Sequence, residues 1–248
     1  AILGFTQILN RDPSLSADHQ RFLSIINRSG EHLLELINDI LEMSKIEAGR
    51  VTLHENEFDL YRLLDRLEEM LQFRGTSKGL QLIFEREPQV PQYIKTDEGK
   101  LRQVLINLLG NAIKFTTKGS VTLRVRVGEN DPQLTIHQLL FEVEDTGPGI
   151  DPREFDKLFE AFGQTTSGLK SGQGTGLGLP ISQKFVQLMG GEIAVSSQPG
   201  QGAKFSFDIQ VSLVEQTRIP STQPIVKRIV GLAPNQPSYR ILVVEDQP

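Results

Sequence analysis

Three stretches of the chain carry residue types that could handle a charged, phosphate-bearing ligand. The first is Asn107-Leu-Leu-Gly-Asn111-Ala-Ile-Lys114-Phe115. On a helix, Asn107, Asn111 and Lys114 fall at i, i+4 and i+7 and share one stripe. Taken alone, such a stripe reads first as a solvated helix face. Against that stands its setting, two amides and a lysine among Leu, Ile, Ala and Phe. An amide oxygen can hold a hard Mg²⁺ that keeps several waters and bridges phosphates. A lysine supplies a point charge for phosphate oxygens.

The second stretch is Glu144-Asp145-Thr146-Gly147-Pro148-Gly149-Ile150, directly after an apolar run. One reading is a type II turn at Pro148-Gly149. The other puts the Asp145 carboxylate at a strand end, where it can accept a hydrogen bond from an exocyclic amine such as that of adenine. Gly147 and Gly149 would let the backbone approach a flat ring. The third stretch, Gly172-Gln-Gly174-Thr175-Gly176-Leu177-Gly178-Leu179, opens a helix. Glycines before a helix N-terminus can cradle phosphate, though a flexible loop also fits the first half. No Gly-Lys-Ser/Thr follows, so it is not a P-loop, and the glycine spacing misses the dinucleotide fingerprint. A protein-Ser/Thr-kinase glycine loop is excluded by the missing Val-Ala-Ile-Lys and His-Arg-Asp segments. Between the second and third stretches lie Phe159 and Phe162, a spacing more often found in cores. They precede residues 165–171, which read as a mobile lid.

These residues need elements to position them. Residues 1–10 read as a helix tail, Asp12-Pro13-Ser14 as a turn, and residues 16–48 as a long helix ending at Gly49. Its positions Leu23, Ile26, Gly30, Leu33, Ile37, Ile40 and Ser44 recur by threes and fours like a coiled-coil seam, and Leu34, Leu36, Leu41 and Met43 widen the stripe. That width suits a helical bundle, within the chain or in a dimer. Beyond Arg50 the pattern mixes strands and helices. Strands are expected at 51–53, 80–85, 93–95, 120–127, 134–143, 192–197 and 203–211. Helices are expected at 59–73, from Thr96 or Asp97 through Ala112, and over 176–189. No strict βαβ alternation appears, so the expected class is α+β. A helical hairpin precedes an α/β sandwich, whose mixed sheet is covered by helices on one face. Residues 215–238, with four prolines, read as a linker, and Ile241-Leu-Val-Val244 as a buried strand followed by Glu245-Asp246.

The bulk properties narrow the class. At 248 residues, 38% hydrophobic and 23% charged, the chain reads as ordinary globular protein. A net charge of −5 disfavours a nucleic-acid partner. The absence of cysteine excludes disulfides and Cys-ligated zinc. No apolar run approaches the roughly 18 residues of a membrane helix, so no membrane contact is expected within the chain and a cytoplasmic setting is expected. Both ends fall inside apparent elements, which leaves room for a membrane anchor elsewhere in a longer protein.

Each motif is moderately specific, and the ordered set is far more so. It resembles the histidine protein kinases of two-component systems. Residues 107–116 resemble their N box and residues 145–150 their first glycine box. Phe159 and Phe162 are similar to their phenylalanine box, and residues 174–179 to their second glycine box. The segment Ser44-Lys-Ile-Glu-Ala-Gly49 is similar to the second helix of their dimerisation domain. The resemblance implies an ATPase fold of the histidine kinase/gyrase type, with ATP and Mg²⁺ as cofactors. It implies that Asn111 ligates Mg²⁺, Lys114 contacts phosphate, Asp145 holds the adenine amine, and Gly147, Gly149 and Ile150 line the base. It places Phe159, Phe162, Gly174, Thr175, Gly176, Leu177, Gly178 and Leu179 around the nucleotide. Pro180 departs from the small residue usual there, a change that a first helical turn tolerates. Relatives that hydrolyse ATP carry a glutamate at the position of Asn107. An amide cannot take a proton from water, so transfer to a side chain is expected instead.

The implied domains are a dimerisation hairpin at 1–50, a catalytic domain at 51–214, a linker at 215–238 and the first strand of a receiver domain at 239–248. The expected partners are a second copy of the chain and a response-regulator receiver domain, in cis. The family's phosphoacceptor histidine sits in a segment that would lie just before Ala1. None of His19, His32, His54 and His137 has its context. Residues 1–248 are therefore expected not to autophosphorylate alone. An ATP-binding sensor or scaffold without kinase activity is the alternative.

Overall fold

The computed structural model describes residues 2–10, 15–128, 136–163 and 175–214. The expected lid, the linker, the receiver strand and Gly174 lie outside the described residues. The chain divides into two compact units, with the boundary between Ile37 and Asn38. In the first unit, α1 (Ile2–Leu9) meets the first part of α2 (Ala17–Glu47). Thr6 is buried there, and its hydroxyl bonds Leu3 O at 3.0 Å and the Asn27 side chain. A Cβ on Gly30 would lie 2.7 Å from Leu3 Cδ2, so glycine lets the helices close up. Phe5, Phe22, Ile26, Leu33 and Ile37 remain exposed.

The second unit is a mixed sheet with helices on one face, as expected. Its elements are β1 (Asn56–Asp59), α3 (Leu60–Ser77), β2 (Leu80–Arg86), β3 (Tyr93–Thr96), α4 (Glu98–Phe115) and β4 (Gly119–Val127). They continue with β5 (Ile136–Asp145), a short α5 (Phe155–Leu158), α6 (Gly178–Leu188), β6 (Ile193–Ser197) and β7 (Ala203–Leu213). Among the described residues the strand order is β1-β3-β7-β5-β4-β2, with β6 also on β7. The β2–β4 pair is parallel and the others are antiparallel.

The strands alternate, with Val121, Leu123, Val125, Phe141, Val143, Phe205 and Phe207 under the helices. Phe141 and Phe207 stack at 4.8 Å. The other face carries charge, with Arg124 between Glu85 and Glu144 and Arg126 between Glu87 and Glu142. On α4 the buried set Leu101, Val104, Leu105, Leu108, Leu109 and Ala112 follows the helical period.

Three expectations shift. The first strand is Asn56–Asp59, not 51–53. Val51 and Leu53 pack against the core without a ladder, while the polar Asn56–Asp59 pairs with β3. The expected strand at 134–143 runs on to Asp145, paired on both sides, with Val121 and with Ala203. The helix expected from residue 176 starts at Gly178, because Gly176 sits at φ 71°, outside the helical region.

The cap of α4 is Asp97, which is buried. Its carboxylate accepts from the backbone N–H groups of Lys100 (3.0 Å) and His54 (2.9 Å) and from Lys100 Nζ (2.7 Å). Burial alone would raise its pKa, but the Lys100 side chain, the two N–H groups and the lysine charge together lower it. A depressed carboxylate stabilises the fold above its unfolded pKa and loses that contribution as pH falls through the folded value. Asp97→Ala should therefore cost about 2 kcal/mol at neutral pH, from a lost cap and an orphaned His54 N–H. The gap from wild type should narrow below about pH 4, as read by urea unfolding across pH. A pH-independent gap would contradict the assignment.

Candidate functional site

The end of α4, the loop after β5 and the start of α6 converge on one cleft. Its wall is Asn111, Ala112 and Phe115 of α4, Asp145 of β5, Pro148, Gly149 and Ile150 of the following loop, Leu158 of α5, Leu179 of α6, and Ala203 and Phe205 of β7. Two residues singled out from separate motifs, Asn111 and Asp145, therefore face one space in an otherwise apolar lining.

Asp145 is 8% exposed. Burial raises its pKa, and the Glu144 charge adds slightly to that. The backbone N–H groups of Gly147 and Ala203 and the Thr116 hydroxyl pull the other way. Gly147 N–H donates to Oδ1 at 2.8 Å and Thr116 Oγ1 lies 3.5 Å from the same oxygen. A carboxylate has about four acceptor sites, so capacity for a further donor remains.

The loop carrying Pro148 and Gly149 is laced to the turn between β6 and β7. Gly200 N–H donates to Pro148 O at 2.6 Å, and Ile150 N–H to Ser197 Oγ at 2.8 Å. Ser197 Oγ in turn donates to Gly202 O at 2.6 Å. Gly149 sits at φ 71°, as position i+2 of a type II turn requires, and a Cβ there would fall 2.1 Å from Gln198 O.

The second glycine stretch is built differently from the first. Thr175 Oγ1 donates to Asp39 of α2 at 2.8 Å and accepts from Leu177 N–H at 3.1 Å. Burial raises the Asp39 pKa, partly offset by the Thr175 bond. Phe162 N–H donates to Gly176 O at 3.0 Å, and a Cβ on Gly176 would meet the Phe162 backbone at 2.8 Å. Leu177 is buried in the core, and no side chain caps the N-terminus of α6. Uncapped N–H groups there are suited to an anion.

Other expected site residues stand off the cleft wall. Phe159 is half-buried against the core, and Phe162 is exposed at φ 63°. Lys114 is half-buried one turn beyond Asn111, with its ammonium 4.6 Å from the Phe115 ring centroid. Asn107 is half-buried, bonded to Ser182 and Asn111. Gly147 sits beside Asp145, where a Cβ would come within 2.7 Å of Oδ1. Sequence reasoning passed over Thr116, Ser182, Ser197 and Lys78. Lys78 Nζ donates to the last carbonyls of α4, Ile113 O and Lys114 O, each at 2.8 Å. For Thr116 a signal existed, since it directly follows the polar stripe; the others are distant in the chain from what they hold.

A concave apolar cleft with one buried carboxylate and one amide, on a mixed sheet backed by helices, has the make-up of a small-ligand binding site. Residues 96–213 match the family model described as Histidine kinase-, DNA gyrase B-, and HSP90-like ATPase, and residues 1–49 match the His Kinase A (phospho-acceptor) domain. The chain is 38% identical over 226 residues to Hybrid signal transduction histidine kinase B of Dictyostelium discoideum, across 90% of this chain and 11% of that protein. It is 38% identical over 238 residues to Signal transduction histidine-protein kinase BarA of Escherichia coli (strain K12), across 94% of this chain and 26% of that one. The solved structure of full-length ShkA in complex with AMPPNP aligns with a TM-score of 0.70 at 34% identity, covering 86% of this chain and 43% of that chain. The chain belongs to the histidine kinase family. It spans a minor part of the length of these curated relatives. No helix among the described residues is long and apolar enough to cross a membrane.

Thr116→Val removes one donor from Asp145. The Asp145 carboxyl should titrate above the ordinary value of about 3.9 in wild type and higher still in the variant, as followed by ¹³C NMR. A wild-type carboxyl titrating at or below that value would contradict the burial argument.

Proposed function

We propose that this chain is the ATP-binding catalytic core of a sensor histidine kinase that passes the γ-phosphoryl group of ATP to a histidine, for relay to a response-regulator aspartate. The observation that carries this reading is the cleft that brings Asn111 and Asp145 to one space. Asp145 accepts the adenine amine, and Gly149, Pro148 and Ile150 form the flat wall beside it. Gly174, Thr175, Gly176 and the start of α6 receive the phosphates, joined by Lys114. An unbranched lysine side chain one turn beyond Asn111 has the reach for this.

The residues present fit Mg²⁺. The amide oxygen of Asn111 is a hard, neutral ligand at the cleft, the kind of partial shell that this ion accepts. When bound, the ion neutralises charge on the phosphate oxygens. In the reaction an N–P bond forms to the imidazole as the bond from Pγ to the ADP oxygen breaks. Asn107, an amide bonded to Ser182 and Asn111, is no base for water. Phe159 and Phe162 flank the loop base, with Phe162 tied to Gly176.

In this reading residues 1–50 are the dimerisation and phosphoacceptor hairpin, and their exposed apolar stripe is covered by a second copy. Residues 51–214 are the catalytic domain, 215–238 a linker and 239–248 the first strand of a receiver domain in cis. The setting is cytoplasmic. The name of the hybrid relative and the His Kinase A match support this arrangement.

The test is incubation of the full-length protein with γ-labelled ATP. Acid-labile, base-stable label on the protein is expected, and tight ATP binding without label would overturn the kinase reading. In this chain, Asp145→Asn sets an amide against the adenine amine, and should weaken ATP binding about tenfold or more by calorimetry. Unchanged affinity would remove Asp145 from the base pocket. Asn107→Glu should raise ATP hydrolysis, by phosphate release, because a carboxylate can take the proton that the amide cannot. A flat rate would show that Asn107 does not limit hydrolysis.

A further inference from the structure

Ser182 belongs to no motif, yet it is a nearly fully buried hydroxyl, 2% exposed, among Ile181, Phe185 and Val186 of α6. It accepts a hydrogen bond from Asn107 Nδ2 at 2.8 Å. Asn107 Oδ1 in turn accepts from Asn111 Nδ2 at 3.2 Å. The three side chains form a directed line from α6 across α4 to the cleft.

Direction matters because an amide has a donor end and an acceptor end. With its nitrogen on Ser182, Asn107 turns its oxygen to Asn111. Asn111 answers with its own nitrogen, and its oxygen is left for the cleft that it lines. Reversing Asn107 would set its nitrogen against the Asn111 nitrogen. Asn111 would then have to flip and show the cleft a donor, where a cation needs an acceptor. Gly178, one turn before Ser182, makes room for the line. A Cβ there would fall 2.4 Å from Asn107 Oδ1.

We propose that Ser182 is a positioning residue for cation binding, holding Asn107 and through it Asn111 in place, with Gly178 providing the close approach. This rests on the reading of Asn111 as the Mg²⁺ ligand. Outer partners of metal ligands act in this way, by holding the ligand's orientation.

The experiment uses this chain and trinitrophenyl-ATP fluorescence, with EDTA or with increasing MgCl₂. In Ser182→Ala, binding in EDTA should match wild type, because the base pocket is untouched. The MgCl₂ concentration for half-maximal tightening should rise about tenfold. Ser182→Thr keeps the hydroxyl and should keep the wild-type response despite an extra methyl. A packing role predicts the opposite order, with threonine worse than alanine. The proposal is overturned if Ser182→Ala keeps the wild-type MgCl₂ response. It is overturned too if Ser182→Thr is as impaired as alanine, or if EDTA and Mg²⁺ binding fall together. Should the alanine variant fail to fold, Ser182→Cys is read in its place. Its volume is similar and its sulfur a weak acceptor, so the same rise is expected and a wild-type response overturns the proposal. Wild-type chain that binds no analogue at all sinks the site reading and this proposal together. A wild type that binds and tightens with MgCl₂, beside an unaffected Ser182→Ala, sinks this proposal alone.

Discussion

A carboxylate almost out of water sets the terms for the second unit. Asp145 is buried and its pKa is raised, so its charged form is held against a desolvation penalty. That penalty is reduced by donors from three places: Gly147 in the next loop, Thr116 at the end of α4, and Ala203 at the start of β7. Each donor ties a different element to the cleft. The β5–β7 register must pair Asp145 with Ala203, and α4 must end at Phe115 for Thr116 to reach. The turn before β7 must come close, which Gly202 allows, since a Cβ there would fall 1.9 Å from Asp145 O. Sheet register, helix length and turn chemistry thus answer to a single side chain.

The ends of α4 are held with comparable care. Asp97 satisfies its first N–H groups, and Lys78 satisfies its last carbonyls. Both partners lie outside the helix's apolar stripe, and Lys78 also closes α3. Fixing a helix at both termini restricts its sliding along the sheet. That is needed where Asn111 must stay within reach of a cleft whose other wall is a loop. The loop is fixed in turn by Gly200, Ser197 and Gly202. The cleft is therefore built on regular elements and a doubly laced turn.

How much of this could be read in the sequence depended on how local the cause was. The α4 stripe, the Asp97 cap and the positive φ at Gly149 are set by neighbours within a few residues, and the pattern exposes them. β1 was misplaced because Asn56-Glu57-Phe58-Asp59 is polar, and forms by pairing with β3, far along the chain. Ser182, Lys78 and Ser197 hold partners from other elements, so no local spacing announces them. Gly176 was counted into a helix because glycine runs look alike in sequence, whereas its φ of 71° and the Phe162 bond make it part of a loop.

The two units differ in what they can complete alone. The second unit closes its own core: Leu60, Leu105, Leu109, Phe141, Phe185 and Ile209 are all essentially inaccessible. The described residues of the first unit do not. Among the described residues of α1 and α2 Thr6 is the buried one, while Phe5, Phe22 and Leu33 are more than half exposed. At about 25 cal/mol per Å² of apolar surface, two helical faces left in water forgo most of the stabilisation that their sequence offers. The cleft draws on residues of the second unit alone, so ligand binding there needs nothing from the first. The apolar faces of α1 and α2 have no such closure among the described residues.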